Sequence, residues 1–410
     1  MLTHRVVITG FGAYSPIGND WQTAESALRS RKNGVCHVEE WAAYDGLNTR
    51  LGAPVTDFEI PPSFTRKKTR SMGRVSLLAT AASEKALIDA GLLDDPILQS
   101  GRVGVAYGSS SGSTDAIADF ANMLISKSLD GITATTYIRM MGHTTPVNVG
   151  VFFGLKGRVI TTSSACTSGS QGIGYAYESI HHGLQDIMLA GGAEELCPTQ
   201  AAVFDTLYAT STCNDKPEAT PRPFDRDRDG LVIGEGACTL VLERRDHALA
   251  RGANIYAEIV GFGTNSDGQH VTQPSPSTMQ QVIESSLANA GLDAGTIGYV
   301  CAHGTATERG DIAESRASFD VFRDKTPISA LKSYTGHTLG ACGGLESWLS
   351  IEMMNHGWFA PTINLDNVDT ECAPLDFILG DGRELDVEYV MNNNFAFGGI
   401  NTSLIFRRHP

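Results

Sequence analysis

Short runs of β-branched residues alternate with longer helical stretches along almost the whole chain. Such alternation is typical of α/β folds, in which helices cover a largely buried sheet. The predicted strands are Arg5–Thr9, Arg102–Tyr107, Val159–Ser163, Ile187–Gly191, Ala237–Glu243, Ile255–Phe262, Tyr299–Ala302 and Thr402–Phe406. The predicted helices are Trp21–Arg29, Arg74–Ala90, Ser168–His182, Thr278–Ala290, Asp311–Phe322 and Cys342–Asn355. The expected fold class is therefore α/β.

A short internal repeat suggests that the chain has two similar halves. Val7–Gly12 (VITGFG) resembles Glu258–Gly263 (EIVGFG), and each segment ends a predicted strand. Chance alone could also produce so short a match. If the match reflects a duplication, the halves are residues 1–250 and 251–410. No long Pro/Ser-rich linker separates them, so we expect them to pack as one body.

Composition excludes several classes of protein. The formal net charge is −15, whereas a non-specific nucleic-acid binder is normally basic. No segment approaches the ~18 consecutive apolar residues that cross a bilayer, and the apolar run Val6–Ile8 is too short for a signal peptide. We therefore expect a cytoplasmic protein. Its eight cysteines form no CxxC pair, which predicts reduced thiols and no metal site.

One cysteine has an unusual context. Cys166 lies among small residues between the β-branched run Val159–Thr162 and the helical pattern Gln171–His182. Small residues allow a sharp strand-to-helix turn, and a helix N-terminus favours the nucleophilic thiolate. Nucleophile elbows built on serine use the same geometry. An ordinary buried cysteine accounts for this segment about as well.

Two histidines lie in similar loops rich in Gly and Thr. His303 follows the apolar strand end Gly298–Val300, and His337 lies five residues after Lys332, just before a helix. A lone histidine is more often structural than catalytic. Two such loops together with an elbow cysteine make a Cys–His–His site an even alternative to a structural role.

Two further segments have both a functional and a structural interpretation. In Asn392–Asn401, Gly398 and Gly399 can adopt positive φ and direct backbone N–H groups at a ligand, although an ordinary hairpin loop also fits. A basic run interrupts the acidic chain and can dock an acidic partner, although such runs usually form a solvated surface. Its members are Arg66, Lys67, Lys68 and Arg70.

With these segments the chain resembles the elongating β-ketoacyl-[acyl carrier protein] synthases, which belong to the thiolase-fold condensing enzymes. The resemblance runs nearly from end to end and depends on an ordered set of motifs. These are Val6–Gly12, Ser164–Cys166, Ala190–Glu195, Arg222–Asp225, Asp229–Gly230, Gly234–Ala237, His303–Thr307, Lys332–Ser333, Gly336–His337 and Asn393–Asn401. The resemblance implies a thiolase-like, duplicated five-layer α-β-α-β-α fold, with the nucleophile in the first half and both histidines in the second.

The resemblance also implies a decarboxylating Claisen condensation without a cofactor. Cys166 would hold the acyl chain as a thioester. His303 and His337 would stabilise the enolate formed as CO₂ leaves the malonyl donor. Lys332 would order the site through Glu314.

The remaining roles concern substrate and partner. The backbone N–H groups of Cys166 and Phe397 would form the oxyanion hole, and Phe397 would also gate acyl entry. Other residues that would contact substrate are Thr272, Thr305, Thr307, Ser111, Glu314 and Gly398. The basic run would dock the acidic acyl carrier protein. The family is usually homodimeric, and a heterodimer with a ketosynthase-like subunit is an alternative.

Several positions depart from the family pattern. Ala396 replaces a Gly of the gating loop, and Ile400 replaces the usual Thr, which puts gate mobility in doubt. Ser111 stands where some members carry a bulky Ile, and Cys213 stands where a basic docking residue often occurs. These changes suggest a specialised synthase, such as one that makes polyenes.

Two other functions fit the sequence less well. A non-catalytic chain-length-factor subunit characteristically lacks the nucleophile that Cys166 supplies here. A CoA-dependent thiolase would carry a second catalytic cysteine in the C-terminal half, where this chain has His337.

Overall fold

The computed structural model describes residues 3–409. Its strands are β1 Val6–Tyr14, β2 Cys36–His37, β3 Leu51–Ala53, β4 Val103–Gly108, β5 Val159–Thr161, β6 Ile187–Glu194, β7 Ile233–Gly234, β8 Gly236–Arg244, β9 Ala257–Ser266, β10 Tyr299–Cys301, β11 Pro327–Ser329, β12 Trp358–Phe359, β13 Asp376–Phe377, β14 Arg383–Glu384, β15 Tyr389–Ala396 and β16 Ile400–Arg408. Its α-helices are α1 Trp21–Arg29, α2 Arg66–Thr69, α3 Arg74–Asp89, α4 Thr114–Ser126, α5 Ala134–Met140, α6 Thr144–Phe153, α7 Ser168–His181, α8 Pro198–Asp205, α9 Arg245–Ala250, α10 Pro276–Ala290, α11 Glu308–Phe322, α12 Lys332–Thr335 and α13 Cys342–His356. Short 3₁₀ helices lie at Glu39–Ala43, Pro96–Gln99, Ala165–Thr167, Pro217–Ala219, Ala294–Thr296 and Leu339–Ala341.

The main sheet contains the same strand pattern twice. Its order is β13-β11-β10-β15-β16-β9-β1-β8-β6-β4-β5. In the first half, β1, β8 and β6 pair antiparallel, and β4 and β5 then add in parallel. In the second half, β9, β16 and β15 pair antiparallel, and β10 and β11 add in parallel. The two patterns meet where β1 pairs with β9 over Val6–Ile8 and Ala257–Ile259.

The internal repeat of the sequence has a packing role in each half. An ideal Cβ on Gly12 in β1 would lie 2.0 Å from the Ala82 carbonyl oxygen of α3, and one on Gly263 in β9 would lie 2.5 Å from the Val282 carbonyl oxygen of α10. Both distances are far inside van der Waals contact, so only glycine lets each helix approach its strand so closely. The repeat thus marks equivalent strands. The predicted boundary at residue 250 falls at the end of α9, before β9 begins.

The helices form three layers around the two half-sheets. Helices α3 and α6 cover the outer face of the first half, and α10 and α11 cover that of the second. Between the half-sheets lie α7, which packs on β6 and β4, and α13, which packs on β15 and β8. The predicted thiolase-like five-layer architecture is confirmed.

Helix α13 is buried on every side from Cys342 to Met354, as expected for the central layer of such a fold. Across residues 3–409, no helix combines the length and apolarity that crossing a membrane requires.

Candidate active site

The nucleophile candidate lies on a sharp turn between β5 and α7. Cys166 is the middle residue of the 3₁₀ helix Ala165–Thr167, and Ala165 adopts a positive φ of 51°. Such a conformation is strained in a residue with a side chain and is common at functional turns. The thiol is buried, and its Sγ lies 3.0 Å from Nε2 of His337. The structure therefore places the elbow cysteine against one of the two predicted histidines.

Both histidines are held in the same tautomer. His303 Nδ1 faces two donors, Lys332 Nζ at 3.1 Å and Asn394 Nδ2 at 3.3 Å. His337 Nδ1 accepts a hydrogen bond from the Leu339 N–H at 3.3 Å. Since each Nδ1 must act as an acceptor, each ring carries its proton on Nε2. The rings stand edge to face with centroids 5.2 Å apart.

Burial also keeps both rings neutral. It lowers the pKa of His303 and of His337 well below the ordinary value of 6.5, and the nearby charge of Lys332 adds to the shift. A positive charge on His337 would lower the pKa of His303 further. At neutral pH the site therefore presents two uncharged N–H donors.

Lys332 is the buried cation that organises these rings. Its ammonium forms an ion pair with Glu346, and Asn394 Nδ2 donates to the other oxygen of that carboxylate at 2.7 Å. Buried charges are tolerated in proteins when they are paired and hydrogen-bonded in this way. The pair connects α12, α13 and β15 beside His303.

The expected contact between Lys332 and Glu314 is wrong. Glu314 instead accepts hydrogen bonds from the backbone N–H groups of His303 at 2.6 Å and Gly304 at 2.7 Å. Glu314 thus holds the main chain at the end of β10, while Lys332 contacts the side chain of His303 from α12. Burial raises the pKa of Glu314 to about 8.

Burial opposes the thiolate that the predicted helix N-terminus would favour at Cys166. Burial raises the pKa of Cys166 to about 11, although the charge of Lys332 and the backbone N–H groups of Phe397 and Cys166 pull it down. Helix α7 begins at Ser168, two residues after Cys166. The backbone N–H groups of Phe397 and Cys166 are also the ones that are predicted to form the oxyanion hole, and both point at the Cys166 sulfur.

A cavity of about 580 Å³ leads to these groups. It is lined by Cys166, His303, His337, Thr305, Thr307 and Phe397, among others. The hydroxyls of Thr305 and Thr307 are 2.8 Å apart, and Thr272 lies on the opposite loop of the wall. The structure thus brings the threonines that are predicted to contact substrate and the Cys–His–His group into one chamber.

Two sequence models decide the family. The model described as the β-ketoacyl synthase N-terminal domain matches residues 3–248, and the one described as the C-terminal domain matches residues 256–366. The chain belongs to the β-ketoacyl synthase family. Together the matches cover both halves and contain Cys166, His303, Lys332 and His337.

Individual relatives agree with this β-ketoacyl synthase assignment. The chain is 38% identical to 3-oxoacyl-[acyl-carrier-protein] synthase 2 of Vibrio cholerae, with 100% of each chain covered. It is similar to the crystal structure of a β-ketoacyl synthase from Burkholderia phymatum, with a TM-score of 0.98, 60% identity, and coverage of 99% and 100%. It is also similar to a ketosynthase solved in complex with its type II PKS acyl-carrier protein and bound to the hexaketide, with a TM-score of 0.88, 29% identity, and coverage of 99% and 100%.

The loop that is predicted to gate acyl entry connects β15 to β16. Gly398 and Gly399 adopt φ values of 87° and 67°, and the Gly398 N–H donates to the Val271 carbonyl at 2.8 Å. Phe397 packs against Phe204 with ring centroids 4.9 Å apart. Gly398 thus ties the loop to the cavity wall, while Phe397 closes the chamber beside Cys166.

Ser111 lies outside the residues that line this chamber. Its hydroxyl accepts a hydrogen bond from Gln200 Nε2 at 3.3 Å. Ser111 therefore contacts α8, which carries Gln200, and does not line the chamber as predicted.

The predicted docking run forms an exposed segment. Arg66, Lys67 and Lys68 lie on the short helix α2, and Arg70 follows it. Within the described part of the chain none of the four makes a salt bridge, whereas neighbouring Arg74 is paired with Glu235. Four positive charges are thus available to an acidic partner.

Two overlapping groups of side chains have the spacing of metal ligands. They are Cys166, His303 and His337, and His303, Cys342 and Glu346, with donor atoms within 4.8 Å of one another. The ammonium of Lys332 contacts both His303 and Glu346. A fixed positive charge at that distance opposes a cation, so these residues fit the condensation chemistry better than a metal.

Sequence reasoning missed three residues that support the site. Glu346 and Asn394 complete the Lys332 pair, and Asp311 accepts hydrogen bonds from the backbone N–H groups of Phe224, Thr305 and Ala306. One signal was visible for Glu346. Glu346 directly follows the apolar and small-residue segment Cys342–Leu345, and a charge buried in such surroundings needs a partner.

Proposed function

We propose that the protein joins an acyl chain held on Cys166 to a malonyl unit carried by acyl carrier protein. The observation that supports this most directly is the pair of Nε2–H donors, on His303 and His337, beside a buried thiol. A non-catalytic partner subunit would have no use for a thiol 3.0 Å from an imidazole.

In the first step the Cys166 sulfur attacks the acyl thioester of the carrier. The carbonyl carbon forms a bond to Cys166 Sγ, its bond to the carrier sulfur breaks, and the thiol proton ends on the departing carrier thiol. The N–H groups of Cys166 and Phe397 stabilise the negative oxygen of the tetrahedral intermediate. Because the resting thiol has a pKa of about 11, proton removal accompanies attack instead of preceding it.

In the second step malonyl thioester loses CO₂. The electron pair of the broken carbon–carbon bond moves onto the thioester as an enolate, whose oxygen accepts hydrogen bonds from His303 and His337. Each preorganised donor of this kind typically contributes about 3–4 kcal/mol. Neutral imidazoles stabilise the enolate without readily protonating its carbon.

In the third step the enolate carbon forms a bond to the acyl–Cys166 carbonyl carbon, the bond from that carbon to Cys166 Sγ breaks, and the sulfur takes up a proton from solvent. The product is the β-ketoacyl thioester of the carrier. Atoms and electrons balance without a cofactor, so the proposal includes none.

The carrier is proposed to dock on Arg66, Lys67, Lys68 and Arg70. Acyl carrier proteins are acidic, and these exposed charges complement them on a chain of net charge −15. The similar ketosynthase solved with its acyl-carrier protein supports a partner of this class. We also propose a homodimer, as is usual in the family.

Mass spectrometry of the intact protein tests the proposal. After incubation with acyl thioesters of acyl carrier protein, we expect the mass of one acyl group on Cys166. Addition of malonyl-carrier should then release it as a β-ketoacyl product. Cys166→Ala should do neither, while Cys36→Ala, in a strand far from the cavity, should do both. Full condensation by Cys166→Ala would refute the mechanism.

A further inference from the structure

A second cavity, of about 390 Å³, opens where the C-terminal half of α13 meets β1, α1 and α3. The described residues that line it are all different from those that line the chamber around Cys166, and the proposed condensation does not use it. Its walls combine aromatic rings with carboxylates. The rings belong to Phe11, Trp21, Tyr256 and Trp348, and the carboxylates belong to Asp20, Asp89 and Glu352.

Glu352 is the buried member of the three carboxylates. Only 8% of the residue is exposed, whereas Asp20 and Asp89 lie at the surface. The chain itself engages both surface carboxylates. Asp20 caps the N-terminus of α1, and Asp89 accepts hydrogen bonds from the Phe11 N–H and the Tyr256 hydroxyl, each at 2.9 Å. Glu352 is therefore the group whose charge the cavity must accommodate.

The histidine nearest to Glu352 does not neutralise it. His356 Nδ1 lies 3.8 Å from Glu352 Oε2 but donates to the Glu352 main-chain carbonyl at 2.9 Å. Its Nε2 accepts a hydrogen bond from the Trp21 indole N–H at 3.1 Å. An imidazole with one donating and one accepting nitrogen is uncharged, so His356 supplies no positive charge to the carboxylate.

The lysine of the cavity is engaged elsewhere. Lys85 donates to the main-chain carbonyls of Ala13 at 3.3 Å and Asn19 at 3.2 Å. Its ammonium also lies 3.9 Å from the centroid of the Tyr14 ring, at a distance typical of a cation–π contact. These contacts hold the lysine against β1, and none of them involves Glu352.

The charge of Glu352 depends on what the cavity holds. Burial raises the pKa of Glu352 to about 7, and the negative charges of Asp89 and Glu25 add to the shift. Near neutral pH a proton therefore occupies the carboxyl about half of the time. A bound cation would replace that proton, because a nearby positive charge favours the ionised form.

We propose that this cavity binds a small organic ammonium ion, with the ammonium group on Glu352 and the apolar body against the aromatic rings. The face of an aromatic ring attracts cations, and ammonium ligands are recognised by such rings. A metal ion would need several converging oxygen ligands, and no such group of side chains lies here in the described part of the chain. An anion would meet three carboxylates and a single lysine. The inference is independent of the proposed condensation.

Isothermal titration calorimetry with three probes of similar shape tests the inference on the wild-type protein. Phenethylammonium is the cation, 2-phenylethanol is its neutral counterpart, and phenylacetate is an anion. We expect phenethylammonium to bind about tenfold more tightly than 2-phenylethanol, because charge-assisted hydrogen bonds are the stronger ones, and phenylacetate to give no heat of binding. The affinity for phenethylammonium should rise about tenfold from pH 6 to pH 8, since a proton competes for a carboxyl with a pKa of about 7.

A variant then locates the bound cation. Glu352→Gln keeps the shape of the side chain and removes its charge, so it should reduce the affinity for phenethylammonium to that for 2-phenylethanol. Glu284→Gln, at an exposed position of α10, is the matched control and should retain the preference. Thermal unfolding without a probe shows whether each variant is folded, and the comparison of probes on the wild-type protein stands without either variant.

Any of four results would overturn the inference. They are equal affinities for 2-phenylethanol and phenethylammonium, an affinity for phenethylammonium that does not change with pH, binding that Glu352→Gln leaves intact, and no binding of phenethylammonium at about 10 mM. The last would mean that the cavity holds water only. None of them bears on the proposed function, because acylation of Cys166 is measured separately by mass spectrometry.

Discussion

The two halves of the molecule contain the same strand-to-helix turn, and they use it differently. In the first, a 3₁₀ helix opens at Ala165 with φ 51° and leads into α7; in the second, one opens at Leu339 with φ 45° and leads into α13. The middle residue of the first turn is Cys166, and that of the second is Gly340. The same backbone geometry therefore presents a nucleophile once and no side chain the second time.

The segments that lead into the two turns also differ. Residues 162–164 connect β5 to the first turn, whereas residues 330–338 connect β11 to the second. The longer connection contains α12 and carries both Lys332 and His337. One copy thus supplies the nucleophile, and the extra length of the other supplies the groups that surround it.

The first prediction replaces the nucleophile, so that both turns have a glycine as their middle residue. Cys166→Gly makes the two turns alike, and we expect condensation to fall by at least about 10⁴-fold because no covalent acyl intermediate can form. Product formation from acyl- and malonyl-carrier measures the effect. Unfolding at an unchanged temperature would show that the turn remains intact, and measurable turnover above about 1% would contradict the assignment.

The second prediction concerns pH, because burial moves the thiol and imidazole pKa values in opposite directions. The pKa of Cys166 is raised to about 11, so its thiolate fraction grows about tenfold per pH unit up to that value. Iodoacetamide alkylation of Cys166 should therefore still accelerate between pH 8 and 10. In the urea-unfolded protein it should level off near pH 8.5. A plateau below pH 8 in the folded enzyme would mean that His337 and Lys332 outweigh burial.

The third prediction tests the longer connection. His337→Ala removes one of two enolate donors, and we expect a loss of about 10²–10³-fold in condensation. Acylation of Cys166 should fall less, since it depends on the backbone N–H groups. The exposed His37→Ala is the matched control. Equal losses in acylation and condensation would indicate that His337 acts mainly on the thiol.

The fourth prediction restores a side chain to the second turn. An ideal Cβ on Gly340 would lie 3.0 Å from Ser109 Cα, Ser110 N and Glu194 Oε2. Gly340→Ala should lower the free energy of unfolding by about 1–3 kcal/mol, as overpacking usually does. Gly295→Ala, where a Cβ would meet nothing within 4 Å, should cost much less. Equal unfolding midpoints in urea would show that the second turn has room for a nucleophile after all.

The parts of the site that could be predicted are those marked by local pattern. A β-branched run, small residues and a helical period around Cys166 predict the turn from sequence alone. The helix Trp21–Arg29 matches its predicted bounds, and Arg74–Asp89 differs by one residue. Helices α4 to α6 were missed, and in α5 and α6 the neighbouring threonines hide the helical periodicity.

The parts that could not be predicted depend on tertiary packing. Lys332 and Glu346 come from different helices, and Asn394 comes from a strand on the other side of α13. Either Glu314 or Glu346 could pair with the lysine on charge alone, and only the packing of the central layer selects Glu346. Burial likewise decides the pKa of Cys166, because a local sequence does not show how much water reaches the thiol.

The position of Gly340 shows how the two copies within the chain came to differ. A pseudo-twofold axis between α7 and α13 relates the turns, so the fold contains two potential reaction centres. At the second, the Gly340 N–H donates to Glu194, and a carboxylate occupies the space that an attacking side chain would need. The single polypeptide is thus built from two copies of one unit, in which the turn of one copy carries the nucleophile and the turn of the other supports the site.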